Sequence, residues 1–315
     1  MDRYTKRILN ILKDQYTGIM GEKEFQTTDG AREFYLKELN DNLYRPMDAN
    51  ARTAYGEGSG NEIESGKMNA LRSSSAMTYN LFWDQIAEVN KGPGNLIGNG
   101  VYKVEFEKQY HTLKSSVSRF PANLDAFLYC KRTREVVACE MKMTEWIFNK
   151  PGTLKVAYLN PENYIDEEAG KVFTAVAKEL ILHNDYDDPE VEQIGYPCIC
   201  TRYDAFQMFK HAVACYTACV KEEEREIRKL TLVNCAWMLT RKDLLEPDLR
   251  ERYDREEQAE LDEFDQFRKI MEPVKELFAA KGIQFEIWFY PFAEFLQMFD
   301  KTAEELYYLS RYTFL

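Results

Sequence analysis

Two strand-like runs joined by a four-residue turn constrain the fold of this chain more than any other feature. Residues 123–130 (NLDAFLYC) and 135–143 (EVVACEMKM) are rich in apolar and β-forming residues. The segment Lys131–Arg134 between them is short enough to close a β-hairpin. If the turn is centred on the middle of that segment, the numbers of paired residues sum to 265, which places Asp125 directly opposite Glu140.

The charged residues of this hairpin predict a metal site. Side chains alternate faces along a strand, so Glu140 and Lys142 share one face of the second strand. Directly opposite residues have Cβ atoms about 5 Å apart, and like charges there are destabilising. Two facing carboxylates on apolar strands are therefore costly unless a divalent cation such as Mg²⁺, which takes carboxylate oxygens, lies between them. Lys142, one pleat onward, would then hold the attacking water or the phosphate.

A structural explanation of the same residues stays open. Glu140 and Lys142 would form an outward polar stripe on an edge strand, with Asp125 near a turn. The tripeptide Glu-x-Lys alone favours that explanation, because it is common. The preceding Asp at matching register and the apolar flanking residues favour the metal site.

Strand-like and helical patterns alternate along the rest of the chain, which predicts a layered α/β or α+β domain. Residues 1–66 are predicted to form a helical N-terminal extension and linker, and 67–315 the main domain with a charged helical C-terminal elaboration. Within them, 50–66 reads as a loop, Gly92-Pro93-Gly94 as a helix end, and 183–189 as an acidic loop. The further strands are predicted at 100–109, 229–239 and 283–290, and the helices at 4–20, 26–48 (weaker), 68–89, 161–182, 203–228 and 250–281, with a short final helix.

Charge and composition narrow the class of protein. The 315 residues carry a net charge of −12, which argues against indiscriminate nucleic-acid binding. Residues 101–155 nevertheless hold ten Lys or Arg against six Asp or Glu, a +4 island compatible with a polyanion substrate or with an ordinary solvated surface. The absence of a run of about 18 apolar residues predicts no membrane span. Without an apolar signal-peptide core the chain is expected in the cytoplasm, where seven cysteines fit reduced thiols.

The hairpin also resembles a known superfamily. Residues 123–128 (NLDAFL) followed by 136–142 (VVACEMK) are similar to the PD-(D/E)XK nucleases, in which a helix precedes a β-hairpin carrying Asp and Glu-x-Lys. Residues 140–145 and 73–82 resemble a bacterial subgroup of proteins with the restriction-endonuclease fold. So does the helix that carries Gln207, Lys210 and His211. The resemblance covers about residues 68–240.

The resemblance implies a restriction-endonuclease-like core with a mixed central sheet flanked by helices. It also implies a metal-dependent endonuclease acting on nucleic acid, with DNA as the expected substrate. Asp125, Glu140 and the carbonyl of Met141 would hold Mg²⁺ or Mn²⁺, and Lys142 would orient the nucleophilic water. Contacts to nucleic acid are expected from Gln207, Lys210 and His211. Whether the chain forms a homo-oligomer is left open.

Departures from the family pattern keep a second interpretation open. Many members carry an acidic or Gln side chain on the helix before the hairpin, where this chain offers Ser75 and Asn80. Glu107 or Glu145 would have to substitute. The missing helix carboxylate and the net acidity favour a catalytically inactive nuclease-fold protein that binds or scaffolds.

The cysteines could in principle supply a second metal site. Two are spaced as Cys-x-Cys, a poorer fit to structural zinc than Cys-x₂₋₄-Cys. Small buried thiols explain the pattern more simply than a zinc or iron–sulfur site. The residues concerned are Cys198, Cys200, Cys215 and Cys219.

Overall fold

The structure is a computed structural model. It describes residues 1–27, 29–57, 61–91, 96–118, 121–148, 151–182, 195–221 and 226–314. The predicted helix end at Gly92-Pro93-Gly94 and the predicted acidic loop at 183–189 lie outside the described residues. Within the described ranges, no helix combines the length and the apolar character needed to cross a bilayer.

A curled six-stranded mixed sheet forms the centre of the molecule, in the order β1-β2-β3-β4-β7-β8. The strands β1 to β4 are antiparallel, and β4, β7 and β8 run parallel. The predicted fold class, α+β with a mixed central sheet flanked by helices, is confirmed. The strands are β1 (Ile86–Val89), β2 (Gly100–Tyr110), β3 (Ala122–Cys130), β4 (Glu135–Lys142), β5 (Thr153–Leu154), β6 (Tyr196–Pro197), β7 (Lys229–Ala236) and β8 (Gln284–Pro291).

The hairpin register predicted from the turn is confirmed. Ala126 pairs with Cys139 and Cys130 with Glu135, so paired residues sum to 265 and the register brings Asp125 beside Glu140. The neighbouring pair of strands, β2 and β3, keeps one register on both sides of Glu107, which places Glu107 beside Asp125. Three carboxyl groups therefore follow one another across three adjacent strands.

Helices cover both faces of this sheet. The helix α3 packs against β3 and β4, and α6 packs against β2, β3 and β7. The N-terminal helix α1 packs against the C-terminal helix α10. The helices are α1 (Arg3–Met20), α2 (Ala49–Glu57), α3 (Ser74–Leu81), α4 (Glu145–Phe148), α5 (Glu167–Leu180), α6 (Ala205–Val220), α7 (Pro247–Ile270), α8 (Glu272–Ala279), α9 (Phe292–Leu296) and α10 (Ala303–Thr313).

The predictions before the hairpin need correction. The helix expected at 68–89 is confirmed only for Ser74–Leu81, because α3 begins and ends there and Ile86–Val89 forms the edge strand β1. Gln85, with φ 58°, breaks the helical path, and residues 86–89 alternate between exposed and buried side chains as a half-buried strand does.

The polar segment read as a loop at 50–66 begins in a helix, and the helix expected at 26–48 is absent from the described residues there. The helix α2 forms because Ala51 and Tyr55 bury one side against β2. Between residues 26 and 48 the chain forms two short 3-10 helices, Gly30–Phe34 and Leu39–Asn42, and isolated β-bridges.

The helices predicted after the hairpin are present but shorter. The one expected at 203–228 ends at Val220, and the one expected at 161–182 is Glu167–Leu180. The long charged helix expected at 250–281 is two helices, α7 and α8, separated at Met271. Pro273 in the first turn of α8 explains the break, because proline has no N–H to continue the helix before it.

Candidate active site

The carboxyl group of Asp125 lies at the centre of the hairpin, on β3. Its Oδ2 accepts a hydrogen bond from the backbone N–H of Met141 on β4 at 2.7 Å. Burial raises the pKa of Asp125 well above its usual value, and the negative charges of Glu140 and Glu107 raise it further. A carboxyl group in this position is destabilised as an anion and gains most from a nearby cation.

Glu140 on β4 is fully engaged by two basic side chains. Its Oε1 lies 2.7 Å from Lys142 Nζ, and its Oε2 lies 2.8 Å from His211 Nε2. Burial alone would raise the pKa of Glu140, but the charge of Lys142 and the contact with His211 outweigh burial and lower the pKa to about 2. Glu140 is therefore ionised at neutral pH, beside the disfavoured anion of Asp125.

Lys142 links the hairpin to the helix α6. Its Nζ donates a hydrogen bond to Gln207 Oε1 at 2.7 Å as well as contacting Glu140. Gln207 and His211 are four residues apart on α6, so they lie on the same helix face and reach neighbouring strand residues. Asp204 begins this helix, with its side chain accepting from the N–H of Gln207. Burial disfavours the charge of Lys142, yet the surrounding carboxylates, Glu140 first, raise its pKa.

Glu107 on β2 has an unusual backbone. Its φ of 49° lies in the left-handed region that non-glycine residues rarely adopt, and such conformations cluster at functional sites. Asn123 Nδ2 donates to Glu107 Oε2 at 3.4 Å. Burial, followed by the charge of Glu140, raises the pKa of Glu107 to about 7. The residue expected as a substitute acid thus extends the carboxyl row of the hairpin.

Lys210 on α6 is a half-buried cation beside the same site. Burial lowers its pKa, and the charges of Lys142 and Lys155 lower it further while Asp204 opposes them. A half-buried ammonium close to other cations is stabilised by an anionic ligand such as phosphate.

The other predicted site residues make contacts that do not involve Asp125, Glu140 or Lys142. Glu145 Oε2 accepts from the N–H of Met143 at 2.5 Å, which keeps it next to the end of β4. The carbonyl of Ser75 accepts from the Tyr55 hydroxyl at 3.3 Å. The side chain of Asn80 makes its hydrogen bonds elsewhere, with Asn42, Tyr44 and Tyr312.

A cavity of about 260 Å³ opens beyond Lys142, at the C-terminal ends of the parallel strands β4 and β7. Sequence reasoning missed six of its lining residues, of which Glu260 on α7 is the most unusual. Glu260 is 1% exposed, and its Oε2 has no hydrogen-bond partner. Burial and the charge of Glu263 raise the pKa of Glu260 to about 8. The lining consists of Lys142, Glu145, Trp146, Pro151, Arg202, Asp204, Gln207, Asn234 and Glu260.

A signal for Glu260 was present in the sequence. The apolar residues of α7 predict a buried stripe through Phe264 and Phe267. Residues four apart share a helix face, so Glu260 and Glu256, four and eight residues before Phe264, lie on the same stripe. Both glutamates are buried. The buried stripe of α7 therefore continues through two charged residues, which the apolar pattern alone does not mark.

The arrangement offers oxygen donors for a hard cation. Asp125 and Glu140 lie together, and the repulsion that raises the pKa of Asp125 would be relieved by a divalent ion. Lys142 and His211 each contact one oxygen of Glu140, so a cation would share that carboxylate with them. Across the part of the chain that the structure describes, no three His, Cys, Asp or Glu side chains are already grouped to hold a metal ion, the cysteines included.

Comparison with known proteins gives one family. A family model described as "Restriction Endonuclease associating with ARP" matches residues 6–277. No curated protein and no solved structure matches the chain. The match includes the hairpin, the helices α6 and α7 and most of α8, and it ends before β8.

Proposed function

Because the chain belongs to the family of restriction endonucleases associating with ARP, we propose that it is a metal-dependent endonuclease that hydrolyses phosphodiester bonds of DNA. The observation that carries this proposal is the carboxyl row across β2, β3 and β4. Asp125 and Glu107 have raised pKa values there, and Lys142 adjoins the ionised Glu140. A strained backbone and perturbed carboxyl groups in one place are typical of a reactive site.

Asp125, Glu140 and the carbonyl of Met141 would hold the cation, Mg²⁺ or Mn²⁺. Their oxygens are the ligand type that Mg²⁺ prefers, and a carboxyl group that resists ionisation is the group that a cation stabilises most. When bound, such an ion lowers the pKa of its water and stabilises charge on the phosphoryl oxygens. Glu107, beside Asp125, would supply a further carboxylate.

The basic side chains around the carboxylates would position the DNA. Lys142, held from two sides by Glu140 and Gln207, would orient the attacking water or a phosphoryl oxygen. His211, which is buried against Glu140, would fix the orientation of that carboxylate, and its direct contact with nucleic acid stays a prediction. Lys210 would contact a neighbouring phosphate, which would offset the cost of its burial.

One observation favours a second candidate function, a nuclease-fold protein that binds DNA without cutting it. Both oxygens of Glu140 are already engaged by Lys142 and His211. These contacts compete with a cation for the charge of Glu140 and would weaken metal binding there. The net charge of −12 also disfavours tight binding to DNA without a local basic surface.

The test combines cleavage with metal binding. Wild type, Asp125→Asn and Glu140→Gln are incubated with plasmid, single-stranded DNA and RNA in Mg²⁺, Mn²⁺ or EDTA. We expect wild type to cut DNA with either metal and not in EDTA, and both variants to be inactive. Mn²⁺ should raise the Tm of wild type in a concentration-dependent way, because it binds the native state. Both variants should lose that rise.

A matched control is Asp262→Asn, which removes an exposed carboxylate on α7. It should cut DNA and respond to Mn²⁺ as wild type does. Cleavage that survives EDTA, or that persists in both site variants, contradicts the mechanism. A protein that binds DNA, cuts no substrate and shows no Mn²⁺-dependent change in Tm would be the non-cutting candidate.

A further inference from the structure

The cavity beyond Lys142 contains a buried polar atom that no contact with the described residues satisfies. Glu260 Oε2 is buried without a hydrogen-bond partner. Burying a polar group unpaired costs free energy, and native proteins satisfy most of them. Asn234, which is 2% exposed and lies beside Glu140 on β7, lines the same cavity. The cavity therefore receives polar side chains from α7 and from β7.

The shape of the cavity is that of a pocket with a deep floor. Trp146, Asn234 and Glu260 are buried, whereas the other lining residues are half-buried and lie nearer the solvent. The volume is about 260 Å³. At ~30 Å³ per water molecule that is room for roughly eight waters, similar to the roughly ten non-hydrogen atoms of a flat heterocycle.

The charges of the lining disfavour an anion as the ligand. Apart from Lys142, to which we assign the phosphate, the described lining has one cation, Arg202, and Arg202 is paired with Glu256. The carboxylates of Glu145 and Asp204 at the rim would repel an anion.

An uncharged ligand that both donates and accepts hydrogen bonds fits what remains. An amide such as Asn234 both donates and accepts, and so does a carboxyl group that keeps its proton. The raised pKa of Glu260, about 8, keeps the carboxyl protonated at neutral pH. Gln207 adds an amide nitrogen, since its oxygen is taken by Lys142. Trp146 adds an aromatic surface.

We propose that this cavity is a pocket for a nucleobase of the substrate, turned out of the duplex next to the phosphate held at Lys142. The proposal rests on the proposed DNA substrate, and it goes beyond cleavage to how one nucleotide is held. Enzymes that extrude a base read it by hydrogen bonds to its edge and by stacking on aromatic side chains. Glu260 and Asn234 read the base edge in this pocket.

The test uses the cost of opening a base pair. The bond cut in a DNA duplex is first mapped, and that duplex is then made with the nucleotide beside the bond either paired or facing an abasic site. Affinities are measured by fluorescence anisotropy in EDTA. Because an unpaired base is cheaper to extrude, wild type should bind the abasic duplex at least about tenfold more tightly, a difference of about 1.4 kcal/mol.

Variants on two different elements show whether the preference for the abasic duplex comes from the pocket or from the greater flexibility of that duplex. Glu260→Leu and Asn234→Leu should reduce the preference for the abasic duplex to less than about twofold. Glu260→Gln, which keeps hydrogen-bonding groups, and the surface control Asp262→Asn should keep it. A single cooperative unfolding transition shows that each variant folds, and having two Leu variants protects the test if one does not.

The outcomes distinguish the pocket from the nuclease. If DNA is cut but wild type shows no preference, or if both Leu variants keep it, the pocket proposal is wrong and the nuclease stands. If no nucleic acid is cut, the proposed function fails. The pocket proposal is then tested with free nucleosides. A saturable increase in the Tm of wild type that Glu260→Leu abolishes supports a base-binding site. No increase in Tm overturns the proposal.

Discussion

Each end of strand β4 buries a glutamate, and the surroundings of the two glutamates are opposite in character. At the N-terminal end, Glu135 accepts hydrogen bonds from the Gly98 N–H, the Tyr102 hydroxyl and Lys229. At the C-terminal end, Glu140 lies beside two further carboxyl groups, Asp125 and Glu107, whose pKa values are raised.

The difference separates a structural site from a functional one. Around Glu135 the carboxylate is matched by one cation and neutral donors, so the cluster fastens the hairpin to β7 and to the segment before β2. Around Glu140 the charges are crowded, and the buried atoms Glu260 Oε2 and His211 Nδ1 lack partners. Unsatisfied buried groups are uncommon in folded proteins, and a bound ligand is one way in which they are completed.

The largest difference between the two ends should appear in the cleavage rate. Lys142→Ala removes the ammonium that we assign to the water or phosphate, and electrostatic contributions of this kind are worth about 10²–10³ in rate. Lys229→Ala, at the other end, should lower stability and leave the rate per folded molecule within about twofold. Single-turnover cleavage with Mg²⁺ measures both. Equal losses in the two variants would mean that Lys142 acts through stability alone.

Stability should respond in the opposite order. Glu135→Ala leaves Lys229 and the Gly98 N–H without their partner, and breaking a buried ion pair costs about 3–5 kcal/mol. Since the Lys229 side chain is 24% exposed and can be hydrated, we expect about 3 kcal/mol, measured by urea unfolding.

The control for that measurement is Glu226→Ala at the same end of the hairpin. Glu226 pairs with Arg134 on the surface, and exposed pairs contribute less than about 1 kcal/mol. If Glu135→Ala cost no more than Glu226→Ala, the contrast between the two ends of β4 would fail.

The pH dependence of stability should distinguish Glu260 from an ordinary glutamate. A raised folded pKa gives stability that is fully present below the unfolded pKa, about 4.3, and is lost as pH rises through the folded value of about 8. Near pH 6 the native state holds one proton that the unfolded state has lost. Stability should therefore fall by about 1.4 kcal/mol per pH unit from this group.

Glu260→Gln should remove that contribution to the slope, while Asp262→Asn should not. The groups that set the titration of Glu260 come from several elements: Glu263, Lys142, Asp204 and Arg202. Urea unfolding at pH 5, 6 and 7 gives the slope for each protein. The same slope in wild type and Glu260→Gln would show that Glu260 titrates normally.

The hairpin was predictable because its information is local. Turn length and side-chain alternation together fix the register, so the pairing of residues 123–130 with 135–143 followed from the sequence. The strand β1 was not predictable in the same way, since its four residues continue a helical apolar pattern and take strand form by pairing with β2.

The candidate site was predictable where it lies on the hairpin and not where distant elements meet it. Gln207 and His211 could be named from the resemblance, but their partners, Lys142 and Glu140, come from the packing of α6 on the sheet. Glu260 belongs to a helix whose charges suggest exposure. A buried, unpartnered carboxyl group is an exception to the rule that charged residues face water, so average patterns miss it.

The smallest expected change in stability is that of Asp125→Asn, and its sign is opposite to that of Glu135→Ala. Asp125→Asn removes a carboxyl group whose pKa is raised by burial and by the charges of Glu140 and Glu107. The stability that a protonated Asp125 contributes at low pH is lost as pH rises through its folded pKa, and Asn avoids that loss. Without metal, the free energy of unfolding should therefore rise by about 1 kcal/mol at pH 8 and change less at pH 5. Urea unfolding in EDTA measures it. A loss of stability at pH 8 as large as that of Glu135→Ala would make Asp125 a structural residue like Glu135, and the carboxyl row would no longer support a metal site.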